Sequence, residues 1–373
     1  MEENKNLESV SLEKDAQVIN GTKDQALQEK EVPQVNSQAN NDEEPLDKNI
    51  KLMSPTRMVV RRFFRSKLSI IGLVMVISLF LFSFFGPLFY TRWGETTPDS
   101  SPLTEYGTSQ FTYTKNGQTF VIKQTVEKEM SYNSYAPISG DHLLGTDQQG
   151  YDIFTRLMYG GRISLTVSFL AVFVITALGV VMGGIAGYFG GWVDNLIMRI
   201  CDVLMCLPGI PILLIIGLIL DSAGVGGSER IYWLMIYLTL FSWPGTARLV
   251  RGQILSLREQ EYMVAAEAMG YSAPRKIFKH LVPNVMPQLI VQMSLSLGSM
   301  ILYEATLSYL NLGVRAPFAA WGTMINIIST DPNVITDHFL AWGPAGICIV
   351  IAVLGFNFVG DGLRDALDPK MRR

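Results

Sequence analysis

Between residues 68 and 360 the chain carries six apolar stretches, each close to the ~20 residues that an α-helix needs to cross a hydrocarbon core. They run roughly Leu68–Tyr90, Ile163–Tyr188, Leu196–Leu220, Ile231–Val250, Val285–Leu312 and Trp342–Gly360. Lipid offers no water to unpaired backbone N–H and C=O groups, so helices that satisfy their own backbone are the default. The chain is therefore read as an all-α polytopic membrane protein with six transmembrane helices. Polar and helix-breaking residues interrupt the third to fifth stretches, and Pro208 and Pro211 lie inside the third. Charged residues make up only 17% of the 373, against about 25% in soluble proteins. That scarcity excludes an ordinary cytosolic enzyme.

Charge is also unevenly placed. Residues 1–50 hold 12 acidic and 5 basic residues, net −7, while the whole chain is −3, so the remainder is +4. The acidic segment lacks aromatic residues and reads as a disordered tail. Neither a signal peptide nor a myristoylation site is expected there, since no apolar run follows a basic start and residue 2 is Glu. Lys and Arg mark the cytoplasmic side of a span. They gather before the first span (Arg57, Arg61, Arg62, Arg65, Lys67), between spans four and five (Arg248 to Lys279) and after span six (Arg364 to Arg373). Six spans then leave both termini cytoplasmic and the long loop after the first span outside. The three cysteines, Cys201, Cys206 and Cys348, provide no disulfide framework and read as small apolar packing residues.

The outer loop, 91–145, contains Phe111-Thr-Tyr-Thr-Lys115-Asn116-Gly117-Gln-Thr-Phe-Val-Ile-Lys123. Strand-like alternation about an Asn-Gly pair is a hairpin signal, so a small extracellular β-containing insert is expected. Its reading stays open between a solvated loop and a docking surface for an extracellular partner. Gly179, Gly183, Gly187 and Gly191 recur every four residues, which puts them on one helix face where another helix can approach closely. Among intramembrane polar residues, Glu304 is the candidate for the translocation path, because a carboxylate in lipid is costly; a structurally paired carboxylate is the alternative. Arg199 and Asp202 are spaced to form a local pair, and Asn357 to bond between helices.

The longest cytoplasmic loop reads Glu261-Tyr-Met-Val-Ala265-Ala266-Glu-Ala-Met-Gly270-Tyr-Ser272-Ala-Pro274-Arg275-Lys276-Ile-Phe-Lys-His280-Leu-Val-Pro283-Asn284. Glu259 to Met269 is expected as a short helix, and Gly270 suits the left-handed position that ends one. Ser272 and Pro274 fit the start of a second helix, and Pro283 and Pro287 mark the beginning of span five. The result is a charged elbow at the membrane surface. No GxxxxGK[ST], HExxH or GxSxG occurs, and His142, His280 and His338 are far apart in sequence, so no chemistry is assigned to this chain.

The elbow resembles the EAA loop of ABC-transporter permease subunits. Ala265, Ala266, Gly270 and Pro283 match its spacing, whereas Val264 stands in place of the first Glu and His280 and Val282 in place of Ile and Leu. Leu144-Gly-Thr-Asp147-Gln-Gln-Gly150-Tyr-Asp152-Ile-Phe-Thr-Arg156-Leu-Met-Tyr159-Gly160-Gly-Arg162-Ile-Ser164-Leu is similar to the signature of the oligopeptide/dipeptide permease subfamily, with Tyr151 and Gly161 departing from its usual Arg and Ala. Gly187 to Pro208, Ala305 to Gly313 and Gly360 to Pro369 resemble the same C-type subunits.

The resemblance implies a type I ABC importer permease in the bacterial cytoplasmic membrane, organised as tail 1–54, first span 55–90, insert 91–145 and permease core 146–373, with a coupling loop at 258–283. It implies a homologous second permease, two cytoplasmic ATPase subunits that hold the ATP and Mg, and an extracellular solute-binding protein delivering peptide, with no nucleic acid as partner. The coupling residues it implies are Tyr262, Ala265, Ala266, Met269, Gly270, Ser272, Pro274, Arg275 and Pro283. Nickel or another small solute is the alternative cargo within the family. An ion-coupled secondary transporter is the alternative class; it would require inverted repeats, which the sequence does not suggest.

Overall fold

A computed structural model describes residues 55–373 apart from 101–102, 116–117, 131, 227–228 and 369–373. The acidic tail and the Asn116-Gly117 turn lie outside the described residues.

Helix α1 (Pro55–Phe63) is followed by α2 (Lys67–Phe89), which starts at a Ser66 hydroxyl accepting the Ser69 N–H and contains a π-helical turn at Leu81–Phe85. Strands β1 (Leu103–Lys115) and β2 (Gln118–Met130) then pair antiparallel, with Phe111 opposite Ile122 and Tyr113 opposite Phe120. The remaining described elements are helices: α3 (Ile153–Phe189), α4 (Gly191–Cys206), α5 (Gly209–Ser222), α6 (Glu229–Leu257), α7 (Glu261–Ala268), α8 (Ala273–Tyr309), α9 (Trp321–Thr330), α10 (Val334–Asp337) and α11 (Phe339–Leu367).

Among the described residues, four helices are long and apolar enough to cross a membrane: α2, α3, α8 and α11. A fifth span results if α4 and α5 are taken together, but these meet at 77°. The third apolar stretch, expected as one span, is thus broken. Pro208 has no N–H and disfavours helical backbone in the residue before it; Leu207 is accordingly extended at φ −75°, ψ 133°. Pro211 falls in the first turn of α5, where it is tolerated. The fourth stretch is a helix of 29 residues, α6, whose Glu229, Arg230, Arg248 and Arg251 make it less apolar than the other spans.

Small residues set the closest helix contacts. A Cβ at Gly179 would lie 2.5 Å from Thr246 Cβ, one at Gly183 2.4 Å from the Ala247 carbonyl oxygen, and one at Gly187 3.0 Å from the Arg251 carbonyl oxygen. Three glycines of the four-residue repeat therefore bury one face of α3 directly against the α6 backbone. Gly191 departs from the expected stripe: it opens α4 at φ +54°, with nothing near its missing Cβ. Higher on α3, Gly160 and Gly161 receive the fully buried Trp321 of α9. Its indole N–H donates to the Leu157 carbonyl at 3.0 Å and its backbone N–H to Ser164 Oγ at 3.2 Å. An alanine at 161 would put Cβ 2.6 Å from the indole ring and 2.3 Å from Ser83 Oγ, which accounts for glycine here. Trp321 anchors a core that includes Leu79, Ile153, Leu165, Ile301 and Phe356.

The segment before α3 is tied down by side chains. Asp147 Oδ1 accepts the N–H groups of Gln149 and Tyr151, its other oxygen lies 3.1 Å from Arg156, and Asp152 Oδ2 accepts the Thr155 N–H at 2.8 Å as the N-cap. Burial pushes the Asp147 carboxyl above the usual range, against the pull of Arg156. The buried His142 ring sits between two carboxylates, Nδ1 at 2.9 Å from Asp152 and Nε2 at 3.3 Å from Asp99, with Trp93 stacked on it at 4.5 Å. This cluster fastens both flanks of the hairpin to the first turn of α3.

Candidate functional site

Two features stand apart from packing: the elbow at one end of the helices and a groove among them that mixes polar and apolar side chains. The elbow turns at Gly270, φ +71°. Its N–H donates to the Glu267 carbonyl at 2.8 Å, and the Tyr271 N–H reaches back to the Ala266 carbonyl at 3.2 Å. That pair of bonds is a Schellman motif, which closes α7 on its own last carbonyls. Helix α7 is shorter than expected, Glu261–Ala268. Met263 and Ala266 face inward and are buried, whereas Tyr262, Val264, Ala265 and Met269 are exposed. The helix thus turns apolar side chains away from the protein.

Beyond the turn, Ser272 takes the N-cap position with extended backbone but makes no capping bond, and Pro274 lies in the first turn. The second elbow helix is not a separate element. It is the start of α8, which runs on to Tyr309. Pro283 therefore does not mark a helix boundary; the π-helical turn at Lys276–Leu281 widens the helix just before it and accommodates the ring. Arg275 covers the Tyr271 ring at 4.1 Å, Tyr271 stacks on His280 at 5.5 Å, and the Asn284 amide donates to the His280 carbonyl at 2.7 Å.

Arginines of α6 brace the same end. Arg251 forms a two-pronged pair with Asp194 of α4, and Arg258 donates to the Gly187 carbonyl at 3.1 Å. Asp202 takes Arg248 as its nearer partner; Arg199, expected as its mate, is exposed and 3.8 Å away. Cys201 and Cys348 are buried as expected, but Cys206, at the α4–α5 break, is exposed.

The groove, about 340 Å³, lies between α3, α6 and α8. Gln292, Ser296, Ser299 and Tyr303 of α8 line it at intervals of four, three and four residues, with Thr176 and Thr246 opposite. Those intervals follow one face of a helix. No charged residue lines it. Glu304, expected either on the path or as a structurally paired carboxylate, does not line this groove. It is 3% exposed, its Oε1 accepts the Ser308 hydroxyl at 2.7 Å, and Ser164 of α3 lies beside it. Glu304 thus belongs to the packed contact between α3 and α8. The four groove residues carried a legible signal, the helical spacing of polar side chains within an apolar stretch, which a search for charges passes over.

Comparisons with known proteins place the chain in a family. Residues 179–373 match the family model described as binding-protein-dependent transport system inner membrane component, and residues 54–102 match the N-terminal TM domain of oligopeptide transport permease C. The chain is 36% identical over 321 residues to the dipeptide transport system permease protein DppC of Bacillus subtilis (strain 168), covering 86% of this chain and 88% of that protein. It is 35% identical to the oligopeptide transport system permease protein OppC of the same organism, covering 87% and 92%. The glutathione transport system permease protein GsiD of Pectobacterium atrosepticum is 39% identical over 234 residues, covering 63% and 74%. With the family model spanning more than half of the chain and these relatives nearly all of its helical part, the protein belongs to the inner-membrane components of binding-protein-dependent transport systems, in the oligopeptide/dipeptide permease C group.

Proposed function

We propose that this chain is one permease subunit of an ATP-driven importer of oligopeptides or dipeptides. The observation that carries the reading is the elbow. A short helix held at a left-handed glycine presents Tyr262, Val264, Ala265 and Met269 outward, while arginine pairs brace the helices behind it. Exposed apolar side chains on a fixed scaffold suit a protein partner better than bulk water. In this reading α7 docks on one of two cytoplasmic ATPase subunits, which bind the ATP and Mg, and Ser272, Pro274, Arg275 and Pro283 support its geometry.

Six crossings put both termini in the cytoplasm, with α4–α5 as a bent span and α6 as the fourth. The groove supplies this chain's share of the translocation path, facing a homologous second permease. The hairpin lies on the extracellular side, where a solute-binding protein delivers cargo.

Purification from mild detergent tests the assembly. Recovery of a second permease and two ATPase subunits is expected. Recovery of this chain alone as a homo-oligomer would refute the reading.

A further inference from the structure

The groove contains a pattern that its location alone does not require. Gln292, Ser296, Ser299 and Tyr303 form a ladder of neutral groups along α8, faced by Thr176 of α3 and Thr246 of α6. Every rung is a hydroxyl or an amide; the Gln292 amide donates one N–H to Ser296 Oγ at 3.4 Å and the Ser299 hydroxyl donates to the Leu295 carbonyl at 3.4 Å, which leaves oxygen lone pairs and the second amide N–H to face cargo. Peptide backbone amides offer a donor and an acceptor to meet them. The surface between the rungs is apolar, from Val172, Ile175 and Met300.

Among the described residues, no charged side chain of the surrounding helices lines the groove. Glu304 follows Tyr303 directly but is buried against Ser308. Arg248 is held by Asp202 and Arg251 by Asp194. A single fixed charge in the cleft would favour cargo of opposite sign over cargo of like sign.

We infer that this ladder binds peptide backbone rather than side chains and makes passage through this chain independent of the cargo's side-chain charge. The inference rests on the peptide-importer reading and deepens it, by assigning charge tolerance to Gln292, Ser296, Ser299 and Tyr303.

The test uses the complete complex, with its ATPases and binding protein, in proteoliposomes. Uptake of three tripeptides, Ala-Lys-Ala, Ala-Gln-Ala and Ala-Glu-Ala, is measured for the unsubstituted complex and for Ser299→Lys and Ser299→Asp. Each variant rate is divided by the unsubstituted rate for the same peptide, so differences in capture by the binding protein cancel. Ser299→Lys is expected to slow Ala-Lys-Ala about tenfold more than Ala-Glu-Ala, and Ser299→Asp to reverse that order. Ser299 is exposed, so both side chains can be accommodated. Gln292→Glu, nearly isosteric and two groove rungs away, provides a second acidic variant with the same expected order as Ser299→Asp.

Equal effects on all three peptides in every variant would overturn the inference while leaving the importer reading intact. Absence of uptake of any of the peptides by the unsubstituted complex would refute that reading and the inference with it.

Discussion

Substituting alanine for Gly183 tests whether the α3–α6 contact sets the spacing of the helix frame. The new Cβ would lie 2.4 Å from the Ala247 carbonyl oxygen and 2.9 Å from Val250 Cβ. Carbon and carbonyl oxygen rest no closer than about 3.3 Å, so the two backbones must separate locally by about 1 Å. No side-chain rotation relieves this, because the obstacle is main chain within a helix. The shift also loosens the contacts one turn away, Gly179 on Thr246 and Gly187 on Ile254. Overpacking of this kind costs about 1–3 kcal/mol. Thermal unfolding of the purified complex, followed by tryptophan fluorescence, should show a melting temperature lowered by a few degrees, on the order of 2–4 °C per kcal/mol for a chain of ~200 residues and less for a larger one. Two controls flank it. Gly184→Ala meets only side-chain methyls, of Ile277 at 3.3 Å and Ile254 at 3.8 Å, and should shift the melt little. Gly252→Ala meets nothing within 4 Å and should leave it unchanged or raised, since alanine is the better helix former by roughly 1 kcal/mol. If Gly183→Ala melted together with Gly252→Ala, the close-contact argument would fail.

Three further outcomes follow from the geometry. Gly270 has φ +71° and open space around it, so alanine there meets only the left-handed backbone penalty of about 1–2 kcal/mol and asparagine a smaller one. Peptide uptake should fall in the order Gly, Asn, Ala, and equal uptake by all three would remove the turn from coupling. Glu304→Gln keeps an acceptor for the Ser308 hydroxyl and lies off the groove, so uptake should stay within about twofold, whereas Glu304→Ala strands a buried hydroxyl at about 1–3 kcal/mol and should lower thermal stability. A large uptake defect in a stable Glu304→Gln complex would return the carboxylate to the path. His142→Ala leaves Asp99 and Asp152 without the ring that separates them, and limited proteolysis should cut the hairpin flanks faster at unchanged core stability; an unaltered cleavage rate would mean that the ring is not what holds the flanks.

What could be read from the sequence depended on how local the cause was. A four-residue glycine repeat dictates a helix face by itself, so the close contact was legible, though not that α6 would fill it. Gly270 announced its turn because few other residues adopt that backbone. Pro208 and Pro211 flagged the α4–α5 break, but hydropathy averages over them, and prolines also lie inside α6 and α8, so a proline alone does not say where a helix stops. Trp321 and the Leu157 carbonyl it bonds are 164 residues apart, and no local pattern joins them. Glu304 drew attention as a lone charge, but charge alone does not say which side of a helix a residue faces. The adjacent ladder, made of common polar residues, carried the periodicity that does.

The continuity of α8 has a mechanical meaning. Elbow and ladder are parts of one rod: from Lys276 to Ser299 is 23 residues, about 35 Å at 1.5 Å per residue. A rod pivoting at the elbow multiplies angle into travel, and a tilt of about 10° carries its Ser299 rung sideways by about 6 Å over that length. If α7 docks on an ATPase subunit as proposed, no relay of side-chain rearrangements is needed for that movement to reach the groove. A small rotation at the surface is already a change of aperture in the interior.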